Sequence, residues 1–400
     1  MSLSLSVKGL SVKPSSTLAI TAKAKELRAQ GLDVVGFGAG EPDFDTPVNI
    51  RDAAKEALDL GVTRYTPAAG MPELRKAISR KFERVNGLAY APEQIIVSNG
   101  GKHALTNIFQ AILNPGDEVI IPSPYWLSYP EIVKLADGVP VFVNCDADAH
   151  FKITPEKLIA ACNKNTKALI LNSPNNPTGM VYTREELEAL AKVIVEKDIY
   201  VVSDEIYESL VYGNIEQVSI ASLGEDIYNH TITCCGMAKA YAMTGWRIGY
   251  TGAPLPVAKV MASIQSHQTS NPNSIAQYAS VEALDGPQES VQAMRREFDK
   301  RRVYMCKRIE AMPYVDAVTP KGAFYVFVNI GEVLKKKYKG ETVGTVENLA
   351  KILIEDYLTA VIPCRDFGRE DHVRLSYAIS MEQIGKGLDR IAQFLAAVTD

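Results

Sequence analysis

Paired cysteines, histidine clusters, long apolar runs and broad basic patches are all missing from this 400-residue sequence. Its six cysteines (Cys145, Cys162, Cys234, Cys235, Cys306 and Cys364) include no Cys-x-x-Cys spacing, and its five histidines are dispersed. That excludes a disulfide framework, leaves a zinc site without its usual ligands, and predicts free thiols in a reducing, cytoplasmic setting. No apolar run is long enough for a membrane span. The start, Met1-Ser-Leu-Ser-Leu-Ser, has no basic segment ahead of an apolar core, so no secretory signal is expected. The net charge is −4, and the one dense basic run, Lys335-Lys336-Lys337-Tyr338-Lys339, lies in a polar stretch. A nucleic-acid surface needs a concentrated basic patch, which this balance argues against. There is no internal repeat and no low-complexity segment.

What remains is the composition of a soluble globular enzyme, 46% hydrophobic and 22% charged, at a length that predicts two or three domains. The middle of the chain alternates β-rich runs with amphipathic helical stretches. Strands are expected at Ile95–Ser98, Glu118–Ile121, Val139–Val143, Lys167–Leu171, Ile199–Ser203, Thr231–Cys235 and Arg247–Thr251. The clearest helix is Thr183–Lys197: Thr183 and Glu186 form a capping box, and Leu187, Leu190, Ala191 and Ile194 share one face. Strand and helix in alternation predict a mostly parallel sheet covered on both faces, with ligands bound beyond the carboxyl ends of its strands. The last third differs. Ala323–Val328, Ala360–Ile362 and Val373–Ser376 read as strands, and Val346–Tyr357 and Met381–Ala396 as helices, which predicts an α+β unit. The boundary is expected after Pro287, with the segment up to about residue 47 packing on the second unit.

Several chemistry-bearing residues fall at the expected strand ends. Lys239 sits in Gly236-Met237-Ala238-Lys239-Ala240-Tyr241, among small residues, with Arg247 eight positions later. A lysine amine with room around it forms a Schiff base with an aldehyde, and an arginine binds a phosphate. Taken alone, the same residues read as a solvated lysine and a surface arginine. Asp204-Glu205-Ile206-Tyr207 follows the Ile199–Ser203 strand; a carboxylate there either caps a helix or meets a cation such as a pyridinium nitrogen. Asn172-Ser173-Pro174-Asn175-Asn176-Pro177-Thr178-Gly179 is a rigid turn that would aim the Asn176 amide. Asn99-Gly100-Gly101-Lys102 opens a helix whose amides favour an anion, or is a plain glycine turn. Ser123-Pro124-Tyr125-Trp126 carries one of only two tryptophans, either a stacking plane or core.

Together these motifs resemble the fold-type I, pyridoxal-5′-phosphate-dependent aminotransferases of classes I and II, in their aspartate aminotransferase branch, over essentially the whole chain. The resemblance implies an α/β fold with a large domain over residues 48–290, built on a mostly parallel seven-stranded sheet flanked by helices. A smaller domain would comprise residues 1–47 and 291–400. It implies that Lys239 holds pyridoxal 5′-phosphate as a Schiff base and serves as the general base, and that Asp204 pairs with the pyridine nitrogen. Tyr207 and Asn176 would bond to the ring oxygen and Trp126 would stack on the ring. Gly101, Lys102 and Arg247 would line the phosphate side, joined by Tyr65 from the neighbouring subunit of a homodimer with shared active sites. Arg374, in His372-Val373-Arg374-Leu375-Ser376, would clamp the substrate's α-carboxylate, with the Gly40 backbone, Trp126 and Asn176 beside it. No metal is implied.

Three positions depart from the family pattern. Gly236 stands where many relatives have a phosphate-binding serine. Ser266-His267-Gln268-Thr269-Ser270-Asn271-Pro272 lacks the arginine that binds the distal carboxylate from the partner in the best-studied aspartate enzymes. The branch that shares this lack uses the lysine of the Gly-Gly-Lys turn, here Lys102, with the Ser15–Thr17 region. Cys364 stands where glycine is usual. The expected reaction is transamination between L-aspartate and 2-oxoglutarate. An aromatic, prephenate or alanine aminotransferase, or a β-lyase, is the alternative on the same scaffold. A ligand-sensing regulator would need an added DNA-binding module, for which the roughly forty residues before Gly40 are expected to be too few.

Overall fold

Residues 4–14 and 16–400 are described by the computed structural model of the chain. Seven strands, β1 (Ile95–Ser98), β2 (Glu118–Ser123), β3 (Val139–Asn144), β4 (Thr166–Asn172), β5 (Tyr200–Asp204), β6 (Thr231–Gly236) and β7 (Gly249–Gly252), form one sheet in the order β1-β7-β6-β5-β4-β2-β3. Pairing is parallel except at β7, which runs antiparallel to both β1 and β6. Each strand expected from the sequence is present, with ends shifted by up to two residues.

Alternate side chains leave a strand on opposite faces, and both faces here are covered. Val119, Ile121, Ile170 and Val202 pack with helix Gly101–Ile112 and helix Leu255–Gln268, while Ile120, Leu169, Leu171 and Val201 pack with helix Arg184–Glu196. Burial on both sides explains why these strands are near-continuous apolar runs. Only the edge strand β3 has exposed positions along its length.

The register aligns the functional strand ends along one rim. Asn172 pairs with Asp204, Asp204 with Cys234, and Gly236 and Ser98 both with Gly249. Because β7 is antiparallel, its start rather than its end lies on this rim. Arg247, expected inside that strand, instead precedes it in a left-handed turn (φ 58°) after the short helical turn Thr244–Trp246, where its Nη1 donates to the Thr244 carbonyl at 2.8 Å. Reversal of the chain into the antiparallel strand displaces it.

A second, four-stranded antiparallel sheet is built from Ile362–Pro363, His372–Ser376, Tyr325–Asn329 and Asp316–Ala317. Its core joins Phe298 of the long helix Glu289–Glu310, Leu349 of helix Val346–Asp356 and Leu388 of helix Met381–Ala397. Phe37 from the N-terminal segment enters the same core, and Val35–Gly36 pairs in parallel with Thr359–Ala360. Among the described residues, no helix is long and apolar enough to cross a membrane.

The capping box forms as the sequence predicts. Thr183 Oγ1 accepts from the Glu186 amide at 3.3 Å, and Glu186 Oε2 accepts from the Thr183 amide at 2.8 Å. Thr183→Ala should lower unfolding stability by about 1 kcal/mol, read from the urea midpoint, because the bonds lost are those that cap this helix.

Candidate active site

The rim of the sheet and the second unit enclose a cavity of about 600 Å³. Gly40, Gly101, Lys102, Trp126, Asn176, Asp204, Tyr207, Lys239, Arg247 and Arg374 all line it. Tyr65 does not: it is 90% exposed on the outer surface. Thr17 lines the wall as well, whereas Ser15 lies outside the described residues.

Asp204 is buried at the end of the central strand β5, and no helix follows it to be capped. Its Oδ2 accepts from the Tyr129 hydroxyl at 2.6 Å and its Oδ1 from the Ile206 amide at 3.2 Å. Burial nevertheless holds the carboxyl above its ordinary pKa, against the pull of these donors and of Lys239. A carboxylate so placed gains from a cation on its open side. Asn172 fixes two neighbours at once: its Nδ2 donates to the Asp204 carbonyl at 2.9 Å, and its Oδ1 accepts from the Asn176 amide at 2.8 Å. The rigid turn is thereby pinned to the strand that carries Asp204.

Lys239 reaches across the cavity and donates to the Gly40 carbonyl. Its amine lies 5.9 Å from the ring centre of Tyr207 and 5.7 Å from that of Phe324. Burial brings its pKa down to about 8, with Arg374 and Arg247 adding to the shift and Glu41 and Asp204 opposing it. At that value an appreciable fraction is free amine near neutral pH, the form a nucleophile or general base requires.

Arg374 is 2% exposed. Its Nη1 donates to Asn176 Oδ1 at 3.0 Å and its Nη2 to the Gly38 carbonyl at 3.3 Å, and its Nε has no partner. The guanidinium lies over Tyr325 (4.3 Å) and Phe367 (5.2 Å). Cys364 enters here: buried with Phe367 and Ile362, it supports the apolar side of that stack. Tyr325 also meets Tyr207, hydroxyl to hydroxyl, at 2.9 Å.

At the far end of the cavity helix Gly101–Ile112 points its N-terminus at Arg247. Gly100 has φ 87°, a left-handed conformation, and a Cβ there would lie 2.3 Å from Arg247 Nη2. Only glycine allows the helix amides and the guanidinium to converge. Lys102 is exposed on the same side, its amine 5.1 Å from the Trp126 ring centre, and burial followed by Arg247 lowers its pKa. Five cationic side chains (Arg28, Lys102, Lys239, Arg247, Arg374) thus line the cavity with two acids, Glu41 and Asp204, so it favours anionic ligands.

Tyr129 and Tyr325 belong to this site and were not singled out from sequence; Asn172 was read only as the start of the rigid turn. Tyr129 stands three residues after Trp126 at the start of a helix, a spacing that marks a shared face but not its partner. Tyr325 sits one strand away from Arg374 and reads as core.

A buried carboxylate, an amine of lowered pKa and a helix N-terminus facing Arg247 on one rim of a doubly covered sheet suit an anionic ligand. The comparisons agree. The model for "Aminotransferase class I and II" matches residues 32–391, and the chain belongs to that family. It is 49% identical over 382 residues to the aspartate aminotransferase of Bacillus sp. (strain YM-2), covering 96% of each chain. It is 48% identical over 390 residues to the aspartate/prephenate aminotransferase of Cereibacter sphaeroides, covering 97% of this chain and 98% of that one. The aspartate aminotransferase of Thermus thermophilus, solved with maleate, superposes with a TM-score of 0.92 at 47% identity, covering 98% of this chain and 100% of that one. The protein is accordingly a transaminating enzyme.

The lowered pKa has a direct readout. Below about 8 the free-amine fraction of Lys239 falls tenfold per pH unit. Acylation of the cofactor-free protein, mapped by peptide mass, should label Lys239 with a midpoint near 8, well below that of exposed lysines. A midpoint above 10 would show that burial does not depress this amine.

Proposed function

We infer that the chain exchanges an amino group between L-aspartate and 2-oxoglutarate using pyridoxal 5′-phosphate held on Lys239. The observation that carries this reading is the placing of a near-neutral lysine amine and a buried carboxylate in one cavity. The residues fit the cofactor: the Gly100–Gly101 turn and Arg247 form a cradle of phosphate size and charge, and Asp204 lacks only a cation. Bound pyridoxal phosphate supplies an aldehyde that bonds to amines and a ring that accepts the electron pair left when a Cα proton departs.

The chain's own groups do the rest. Asp204, kept basic by burial, holds a proton on the ring nitrogen. Tyr207 and Asn176 address the ring oxygen, Trp126 covers a ring face, and the Gly101 and Lys102 amides with Arg247 take the phosphate. Arg374, with its unpartnered Nε, binds the substrate's α-carboxylate beside the Gly40 backbone. The Lys239 amine takes the proton from the substrate's Cα and returns it on the cofactor side.

Dicarboxylate preference rests on the names of the relatives, on the maleate of the Thermus structure and on Lys102, an exposed cation on the cavity wall. We also propose the division into a domain of residues 48–290 and one of 1–47 with 291–400, in line with the two sheets. Tyr65, exposed on a single chain, suits a homodimer in which it completes the neighbour's phosphate site. Six unpaired thiols suit a cytoplasmic protein.

Borohydride reduction followed by peptide mapping should tag Lys239. Lys239→Ala should fold and lose at least the 10²- to 10⁴-fold, on the order of magnitude, that a positioned general base contributes; normal turnover without added amine would sink the assignment. Against a donor panel with 2-oxoglutarate, aspartate should give the highest kcat/KM, and Lys102→Ala should raise KM for aspartate more than for alanine. A preference for prephenate as amino acceptor would move the protein to the activity named for its Cereibacter relative.

A further inference from the structure

Behind the turn that carries Asp204 and Tyr207 lies a buried charge cluster with no part in the cavity. Asp204, Ile206 and Tyr207 line the cavity, whereas Glu205 and Glu208 of the same turn do not. They point into the core toward Lys81, the last residue of helix Pro72–Lys81, where the helix widens into a π-turn over Phe82–Asn86. Such turns occur often beside functional sites. The side chains of Lys81 and Glu208 are 6% and 8% exposed, and Glu205 is 1% exposed.

The cluster is fully connected. The Lys81 ammonium donates to Glu208 Oε1 and to Asn86 Oδ1, the latter at 2.9 Å. Asn86 Nδ2 donates to Glu208 Oε2 at 2.7 Å and to Glu205 Oε2 at 3.3 Å. Glu205 Oε1 accepts from Ser203 at 2.8 Å and Ser219 at 2.6 Å. Glu205, Glu208 and Cys235 also have the spacing of a metal-ligand group, but the Lys81 ammonium already lies among them, 4.0 Å from Cys235 Sγ. One ammonium balances two carboxylates, and burial followed by Glu208 pushes Glu205 up to about 7.

A buried ion pair adds little net stability, and well-packed apolar residues in its place are often neutral or stabilising. What an ion pair adds is direction. Here both carboxylates come from the five residues Asp204–Glu208, and both are held from one side by one helix end.

We propose that Lys81 is a positioning residue for transamination: with Asn86 and Glu208 it clamps the Asp204–Tyr207 turn from behind, so that both side chains meet the cofactor ring at fixed geometry. This rests on the reading that the turn holds pyridoxal phosphate. Without the clamp, two buried carboxylates face each other with no cation, and the turn relieves this by shifting. Asp204 then holds the ring proton less firmly and Tyr207 bonds the ring oxygen less well. Both changes raise the pKa of the cofactor's linkage to Lys239.

The test compares the wild-type holoenzyme with Lys81→Met and with Glu208→Gln. The second variant removes the Lys81–Glu208 ion pair that ties the turn to the helix end, loosening the clamp without leaving a carboxylate uncompensated, and serves if the first does not fold. In either variant the pH midpoint of the bound cofactor's visible band should move up by about half a unit or more. The cofactor dissociation constant should rise roughly tenfold, as when groups supporting a ligand shell are removed. A variant that melts at lower temperature while keeping the wild-type midpoint and cofactor affinity would overturn the proposal and leave Lys81 a stabilising residue. A wild-type protein with no titrating visible band would overturn the underlying cofactor reading instead.

Discussion

Burying a carboxylate at the end of a central strand is unfavourable unless donors and charge answer it, and the architecture around Asp204 is organised by that requirement. Tyr129 and the Ile206 amide satisfy its oxygens from the protein side, Asn172 holds its carbonyl, and one side stays open to the cavity. The parallel sheet makes this possible, since Asn172, Asp204 and Gly236 end neighbouring strands on one rim. The antiparallel strand β7 contributes by its start, which puts Arg247 on the same rim as groups that end their strands.

The electrostatics follow from that arrangement. Burial, with Arg374 on one side and Arg247 on the other, disfavours a further ammonium in the cavity, and Lys239 gives up part of its proton affinity. Asp204 is displaced in the opposite sense by the same burial. Lys239 is thereby left partly as free amine near neutral pH, and Asp204 gains from a cation on its open side. Both shifts arise from the chain's own groups. Arg374 is likewise set by the chain itself: its guanidinium is fixed by Asn176, Gly38, Tyr325 and Phe367, with a donor left over.

Much of this was legible in the sequence where it was local. Buried strands announce themselves as apolar runs, and the residues just past each run were Asn172, Asp204 and Gly236. The capping box at Thr183 needed only four residues. What was not legible depends on partners distant in sequence. Tyr129 matters because Asp204, 75 positions on, folds against it, and Lys81 because Glu208 does so 127 positions on. An isolated buried tyrosine or a lysine in Ser79-Arg80-Lys81-Phe82 carries no periodic signal. The left-handed turn at Arg247 was missed for a related reason, as a strand-like composition does not reveal where the chain reverses. Tyr65 poses the complementary case. A motif placed it at the phosphate, but a single chain leaves it exposed, which is what a residue serving another subunit would show.

Gly236, where many family members carry serine, acquires a physical cause. A Cβ at this position would lie 2.9 Å from Ile206 Cδ1, 3.1 Å from the Ile248 carbonyl and 3.2 Å from Gly249 Cα. The Ile206 methyl ends a flexible side chain and can turn aside, whereas the two backbone neighbours would have to give by a few tenths of an ångström, so a side chain here presses on β7. The anion end of the cavity is left to backbone amides and Arg247, both of which depend on Gly100 for their approach. The glycine at 236 thus lies against the isoleucine at 206, on the turn that carries Asp204 and Tyr207. Exchanging either alone would disturb the ring end of the site as well as the phosphate end.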